Sequence, residues 1–137
     1  MITALDTNVL LDIWLPDPVF GLKSAEAVMR ADALGGLAIC EIVYAELATR
    51  FSSQTEFDRL LDELDVRVTP VPRQAAFQAG QLWRKYRAAG GKRAQRIMAD
   101  FLIGAHASVV ADQFITRDQG FYRDYFPKLR IIDPAKA

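Results

Sequence analysis

Short apolar segments alternate with longer stretches of helical periodicity along the whole chain, and this order limits the folds that the chain can adopt. The apolar segments are residues 2–5, 37–39, 66–71, 113–116 and 129–132. Strands that alternate with helices form βαβ units, whose strands are parallel and whose helices cover the sheet. We therefore predict an α/β fold with a short central parallel sheet covered by helices.

Helical stretches fill the intervals between the predicted strands. Residues 55–64 are the clearest example, because four apolar side chains recur there at the spacing of one helical face. Thr55 and Asp58 resemble an N-terminal capping pair for this helix. The other predicted helices are residues 9–15, 24–34, 41–51, 73–89 and 99–111.

The chain has 137 residues, of which 51% are hydrophobic and 25% charged, as in an ordinary globular domain. No linker or repeat divides it, so we predict one domain over residues 1–137. Asp6 and Asp12 interrupt the first apolar run and no basic start precedes it, which argues against a signal peptide. Cys40 is the single cysteine, so no internal disulfide can form. We expect a cytoplasmic protein without a membrane span.

Basic residues are concentrated in one part of the sequence, although the net charge is zero. Residues 66–99 carry eight basic side chains and no acidic one, so the rest of the chain has a net charge of −8. Such asymmetry can mark a surface for a polyanion, or a solvated helix and loop. The candidate RNA-binding side chains are Arg84, Lys85, Arg87, Lys92, Arg93 and Arg96.

Four carboxylates occupy hydrophobic surroundings, where an ionised acid needs a partner. Asp6 ends the first apolar segment, and Asp118 closely follows the strand-like residues 113–116. Glu46 lies inside a helical stretch, and Asp100 begins a nearly all-apolar one. Ligand sites of parallel sheets lie beyond the carboxyl ends of the strands, so we expect Asp6 and Asp118 to lie close together.

Each of these acids also has a purely structural explanation. Asp6 could cap the helix that starts near residue 9, and Asp118 could cap a turn over residues 119–122. Asp100 could stabilise the first turn of its helix. Glu46 could pair with Arg50 one turn later. The sequence leaves these explanations open for each acid, whereas a shared site explains all four at once.

A divalent cation would remove the repulsion between clustered acids, which is about 4 kcal/mol for two carboxylates about 4 Å apart at an effective dielectric constant of roughly 20. Oxygen ligands suit Mg²⁺ or Mn²⁺, and His106 with Cys40 cannot complete a zinc site. Asn8 and Thr116 could orient the carboxylates, since a spacing of two in an extended segment places side chains on one face. Ordinary turn chemistry is the alternative for both.

Several short motifs occur in a recognisable order along nearly the whole chain. They are the opening Leu-Asp-Thr-Asn, Ala-Glu-Leu, Asp-Phe-Leu-Ile-Gly-Ala-His-Ala and Thr-Arg-Asp, within residues 5–12, 39–47, 100–107 and 115–121, and a closing match over 125–134. In these motifs the chain resembles PIN-domain ribonucleases, specifically the VapC toxins of bacterial toxin–antitoxin pairs. The order and spacing of the motifs make the resemblance specific, because each motif alone is short.

The resemblance implies a role for each acid. The metal ligands of the family fall on Asp6, Glu46, Asp100 and Asp118, and its small hydroxyl residue before the last Asp falls on Thr116. Many relatives carry Ser and Thr where this chain has Cys40 and Val43. That departure weakens any hydroxyl network beside Glu46 and leaves the four acids intact.

The resemblance also implies an activity and partners. It implies Mg²⁺- or Mn²⁺-dependent hydrolysis of RNA phosphodiester bonds, a homodimer, and a VapB-like antitoxin that binds an apolar groove and inhibits the enzyme. The groove candidates, which could equally be core residues, are Trp14, Leu15, Phe20 and Phe51.

Three other classes of function stay open from the residues alone. A phosphatase of the haloacid dehalogenase type normally needs a second Asp two residues after the first, where this chain has Asn8. A receiver-type signalling domain needs a Lys at a late strand end, and Lys128 instead follows Pro127. A non-enzymatic RNA-binding or protein-interaction module would explain the basic segment but not the four acids.

Overall fold

A parallel β-sheet forms the centre of the protein in a computed structural model, which describes residues 1–90 and 96–136. The strands are β1 Ile2–Leu5, β2 Gly36–Ile39, β3 Val66–Val68, β4 Gln113–Ile115 and β5 Arg130–Ile132. Their order in the sheet is β3-β2-β1-β4-β5, and every neighbouring pair is parallel. The predicted α/β fold with a short parallel sheet is therefore confirmed.

Seven helices connect the strands within the described part of the chain. They are α1 Thr7–Trp14, α2 Gly21–Leu34, α3 Glu41–Ala48, α4 Gln54–Glu63, α5 Arg73–Ala88, α6 Met98–Val110 and α7 Gln119–Tyr125. Among these helices, none is long and apolar enough to cross a lipid bilayer. The helices lie between strands that are parallel, as βαβ connections require.

The order of the strands places a switch point beside β1. The chain builds β1, β2 and β3 outward in one direction, and then returns through α5 and α6 to place β4 on the other side of β1. Leu5 pairs with Ile115 at the carboxyl ends of β1 and β4. In open α/β sheets, ligands bind in the crevice outside such a point. The residues that follow Leu5 and Ile115 are therefore the first place to look for a site.

The core lies on both faces of the sheet and includes a cluster of aromatic rings under α6. Phe101 is fully buried and packs against Trp83 of α5, with ring centroids 5.7 Å apart. Gly104 allows α6 to approach the segment after α7, because a Cβ atom there would lie 2.2 Å from Cε2 of Phe126. Tight packing of α6 fixes the position of its first turn, which carries Asp100.

Two local predictions are wrong. Residues 119–122, which we predict as a turn, belong to the helix α7, because the buried Phe121 and Tyr122 anchor it to the core. The cap of α4 is Ser53, whose Oγ accepts from the amide of Glu56 at 3.3 Å, and not Thr55. In both places tertiary packing and the exact helix start override the local sequence signal.

Candidate metal and nuclease site

Asp6 is the central carboxylate of the candidate site. It follows β1 and its side chain is 7% exposed. Its Oδ1 accepts from the amide of Thr7 at 2.8 Å, so it is also the N-cap of α1. Its Oδ2 accepts from the hydroxyl of Thr116 at 2.7 Å, across the sheet from β1 to the end of β4. Asp6 therefore combines the predicted helix cap with a tertiary contact that no cap requires.

Glu46 is joined to Asp6 through Thr7. The hydroxyl of Thr7 donates to Oε1 of Glu46 at 2.6 Å, while the amide of the same residue donates to Asp6. Within residues 1–90 and 96–136, no ion pair joins Glu46 to Arg50, so the structural alternative for Glu46 is wrong. The first residue of α1 thus brings a carboxylate of α3 towards the end of β1.

Thr116 links Asp6 to Asp118. Thr116 is fully buried; its hydroxyl donates to Asp6 and accepts from the amide of Asp118 at 3.0 Å. Asp118 precedes α7 but makes no side-chain cap with it. The hydroxyl of Thr116 therefore connects the carboxylate of Asp6 to the backbone of Asp118 at the two strand ends that adjoin the switch point.

Asp100 approaches the group from the first turn of α6. Its Oδ2 accepts from the amide of Ile97 at 3.0 Å, which satisfies a free donor at the helix start. The side chain of Tyr122, which is 2% exposed, experiences the charges of Asp6, Asp100 and Asp118. Burial and then these charges raise the pKa of Tyr122, so its hydroxyl stays protonated among the acids.

Arg96 contributes a positive charge to this region. It forms two hydrogen bonds to Asp118: Nη1 donates to Oδ2, and Nη2 donates to Oδ1 at 3.1 Å. Its guanidinium carbon lies 4.2 Å from the centroid of Phe121. The bond to Asp118 raises the pKa of Arg96 above its already high value. Arg96 therefore neutralises part of the acidic cluster.

Among the candidate RNA-binding residues that the structure describes, Arg84, Lys85 and Arg87 do not form part of this cluster. Arg84, Lys85 and Arg87 are exposed on α5, where Arg87 stacks over Trp83 at 5.6 Å. Lys92 and Arg93 lie outside the described residues.

Burial raises the pKa of Asp6 to about 6. The hydrogen bonds from Thr116 and Thr7 oppose this effect, and the nearby charges of Glu46 and Asp118 add to it. A carboxylate in such a setting is costly to ionise unless a cation joins it. The electrostatics therefore show that the acids of three separate elements lie within reach of one another.

The side-chain atoms of this site are of the type that binds a hard divalent cation, but they are not positioned around a common point. The donors are all oxygen, and Oδ1 of Asn8 is a buried acceptor without a hydrogen-bond partner in the described part of the chain. In that same part, no group of three or more Asp, Glu, His or Cys side chains is placed to hold an ion as it stands. Instead, the carboxylate of Asp118 binds Arg96, and that of Asp100 binds the amide of Ile97 at the start of its own helix.

A second ion pair supports the site, and sequence reasoning missed it. Asp12 is 3% exposed; Nε of Arg117 donates to its Oδ2 at 2.8 Å and Nη2 to its Oδ1 at 3.0 Å. Ser24 donates to the same carboxylate at 3.0 Å, and Arg117 stacks over Phe20 at 4.3 Å. Arg117 lies between Thr116 and Asp118, so this pair fixes the segment that carries the site. The basic residue directly before Asp118 in the Thr-Arg-Asp motif was the one sequence feature that pointed to this ion pair.

Thr7 was also missed, although it stands in the opening motif directly after Asp6. His106, by contrast, lies away from the acids: it is 1% exposed and its Nε2 lies 2.7 Å from the hydroxyl of Thr69. Burial lowers the pKa of His106, so it is a neutral core residue.

Three of the four groove candidates border apolar cavities. Trp14, Leu15 and Phe51 line a cavity of about 200 Å³ beside α1, and Phe51 also lines a neighbouring cavity of about 290 Å³. Phe20 instead packs under Arg117, away from both.

Comparison with known proteins identifies the family. The profile of the PIN domain matches residues 3–126, so the chain belongs to the PIN-domain family. PIN domains are nucleases, which defines the class of the protein as a hydrolase. No curated protein matches by sequence.

Solved structures with the same fold come from several bacteria. VapBC-1 from nontypeable Haemophilus influenzae matches with a TM-score of 0.72 and 24% identity over 98% of each chain. VapBC2 from Rickettsia felis, bound to a promoter DNA fragment, matches with a TM-score of 0.69 and 22% identity, over 96% of this chain and 98% of that one. FitAcB from Neisseria gonorrhoeae matches with a TM-score of 0.64 and 22% identity over 98% of each chain.

Proposed function

We propose that this chain is the toxin of a toxin–antitoxin pair and acts as a divalent-metal-dependent endoribonuclease. The observation that carries the proposal is a chain of hydrogen bonds at the carboxyl ends of β1 and β4. It runs from the carboxylate of Glu46 through Thr7, Asp6 and Thr116 to the backbone amide of Asp118. Membership of the PIN-domain family and the similarity to VapBC and FitAB structures support it.

The acids have distinct tasks in this proposal. Asp6, Glu46, Asp100 and Asp118 would hold one or two Mg²⁺ or Mn²⁺ ions, with Asn8 and Thr116 orienting them. The ion would neutralise negative charge on the phosphate and lower the pKa of a water molecule. Glu46 or Asp118 would accept the proton of the attacking water. Both lie near the buried Asp6 but are themselves partly exposed, so that water can reach their carboxylates. Cleavage leaves a 5′-phosphate and a 3′-hydroxyl.

The basic side chains would attract the RNA backbone. Arg84, Lys85 and Arg87 are exposed on α5, and Lys92 and Arg93 belong to the same basic segment of the sequence. Contacts of this type bind phosphates without reading sequence and weaken as salt rises. Arg96 differs from the others because it already contacts Asp118, so it would act next to the cleaved bond.

Cleavage of structured RNA by acid variants tests the nuclease proposal. Asp6→Asn and Asp100→Asn each remove a charge that the ion needs, so we expect each to lower the cleavage rate at least about hundredfold. Asp32→Asn, on the exposed face of α2, is the matched control and should cleave normally. Full activity in either acid variant, or no cleavage by the natural protein in Mg²⁺ or Mn²⁺, would contradict the proposal.

The antitoxin would occupy the apolar cavities beside α1. Leu15 lines one of them and is 53% exposed, so Leu15→Asp changes this surface without changing the core. We expect this variant to bind the protein encoded by the adjacent gene at least about tenfold more weakly. Leu22→Asp on α2, where Leu22 is 74% exposed, is the control.

Co-expression and calorimetry would measure this binding. A natural chain that expresses alone in the cytoplasm without toxicity and binds no adjacent gene product would contradict the toxin proposal. Size-exclusion chromatography with light scattering would check the proposed homodimer in the same preparations.

A further inference from the structure

An open cavity adjoins the acidic cluster and differs from it in chemistry. Its volume is about 580 Å³, and it is lined by Tyr86, Arg96, Phe121, Asp124 and Tyr125. Within the described part of the chain, three aromatic rings, one guanidinium and one carboxylate line this space, which opens to solvent. The cavity shares Arg96 with Asp118, so it lies directly beside the proposed nuclease site.

The aromatic side chains of the cavity are closely packed. The ring of Tyr125 lies 5.3 Å from Phe101, 5.3 Å from Phe121 and 5.9 Å from Tyr86, measured between centroids. Tyr86 and Phe121 are buried, whereas Tyr125 is only partly covered and offers its ring to the cavity. A ring held by three neighbours loses little entropy when a flat ligand stacks on it.

The polar part of the cavity selects the ligand. Arg96 is held flat by Phe121 and Asp118, and its positive charge attracts a phosphate diester. Asp124 also lines the cavity and is exposed, and a carboxylate only accepts hydrogen bonds when ionised. A ligand that combines a flat ring, an adjacent phosphate and an edge of hydrogen-bond donors is an unpaired nucleotide of RNA.

We propose that this cavity binds one unpaired RNA base next to the cleaved phosphate, with guanine preferred. The base stacks on Tyr125, Arg96 contacts the neighbouring phosphate, and Asp124 accepts from the base edge. Guanine presents adjacent imino and amino hydrogens to the two oxygens of a carboxylate, whereas uracil has a single imino hydrogen between two carbonyls. The inference rests on the proposed ribonuclease function, and it names the feature of RNA that the site reads.

Fluorescence anisotropy with labelled RNA decamers tests the base site. The probes are oligouridine strands with one central guanosine, inosine, uridine or abasic residue, bound to the Asp6→Asn protein so that no strand is cut. We expect the guanosine strand to bind about tenfold more tightly than the uridine strand. Inosine lacks the amino group, so its strand should fall between the two, and the abasic strand should bind no better than the uridine strand.

Variants of two cavity residues then test whether the preference for guanosine comes from this cavity. Tyr125→Ala and Asp124→Asn, each in the Asp6→Asn protein, should reduce the preference for guanosine to less than about twofold. Asp124→Asn should leave binding of the uridine strand nearly unchanged, whereas Tyr125→Ala should weaken binding of that strand as well, because uracil also stacks on an aromatic ring. Asp124 is exposed, so its variant keeps the test valid even where Tyr125→Ala does not fold. Asp62→Asn on the exposed face of α4 is the matched control and should keep the preference.

The outcomes separate this inference from the proposed function. Equal binding of the guanosine and uridine strands, a preference that survives both cavity variants, or no binding of any strand would overturn the base site. Cleavage of structured RNA by the natural protein together with equal binding would overturn the base site alone. A preference that the variants remove, in a protein that cuts no RNA with any divalent ion, would overturn the nuclease and leave the base site standing.

Discussion

Asparagine in place of Asp6 should make the metal-free protein more stable at about pH 7.5, by about 2 kcal/mol in the free energy of unfolding. The pKa of Asp6 is raised to about 6 in the folded state from an ordinary value of 3.8, because the carboxyl is buried beside two other acids. The folded state therefore holds its proton more tightly than the unfolded state. Asparagine at position 6 can still cap α1 by accepting a hydrogen bond from the amide of Thr7, and it carries no charge.

The difference in stability between the natural protein and the Asp6→Asn variant should depend on pH, because the pKa of Asp6 is raised in the folded state. Below about pH 4 the carboxyl is protonated in both states, and the stability that its raised pKa supplies is fully present. As pH rises through about 6 that stability is lost, so the natural protein should fall below the Asp6→Asn variant. Urea unfolding in chelator at several pH values, followed by tryptophan fluorescence, measures the difference, with Asp32→Asn as control. An Asp6→Asn variant that is no more stable at neutral pH would show that the burial of Asp6 carries no such cost.

Methionine in place of Arg117 should destabilise the protein by about 2–3 kcal/mol, because it leaves the buried Asp12 without its cation. Asp12 is 3% exposed and receives two bonds from Arg117. The value is below that of a fully buried pair, since the side chain of Arg117 is 32% exposed and water screens it. The same change should lower RNA cleavage, because Arg117 fixes the backbone between Thr116 and Asp118.

A double variant distinguishes the electrostatic contribution of the Arg117–Asp12 ion pair from the contribution of side-chain packing. Adding Asp12→Asn to Arg117→Met removes the stranded charge, so we expect the double variant to recover most of the lost stability. Arg59→Met is the control, because its ion pair with Glu63 has side chains that are 63% and 56% exposed and should contribute less than about 0.5 kcal/mol. A double variant less stable than Arg117→Met would mean that the pair acts through shape and not through charge.

The sheet and the strand-end acids could be predicted from the sequence for a clear physical reason. Buried strands are short apolar runs, and parallel pairing brings their carboxyl ends together, which is where Asp6 and Asp118 lie. The helix α7 was not predicted, because it has seven residues, contains Gly120 and owes its stability to buried rings rather than to local periodicity.

The ionic partners within the site could not be predicted in the same way. Arg96 and Asp118 are 22 residues apart, and Asp12 and Arg117 are 105 apart. Counting charges showed a basic segment but not which member turns towards the acids, because that depends on the start of α6 and on the stacking of Arg96 over Phe121. Arg96 was predicted as one of six RNA-binding residues, and the structure pairs it with Asp118, a proposed metal ligand.

We propose that the carboxylates around Asp6 hold a divalent ion that competes with Arg96 for Asp118. A crystal of the protein soaked in Mn²⁺ tests it most directly, because the anomalous signal of manganese locates the ion without assumptions. We expect one Mn²⁺ within roughly 2.0–2.6 Å of an oxygen of Asp6 and of at least one other of the four acids, with Arg96 turned away from Asp118. A crystal saturated with Mn²⁺ that shows no ion at Asp6 and an unbroken Arg96–Asp118 pair would contradict the claim.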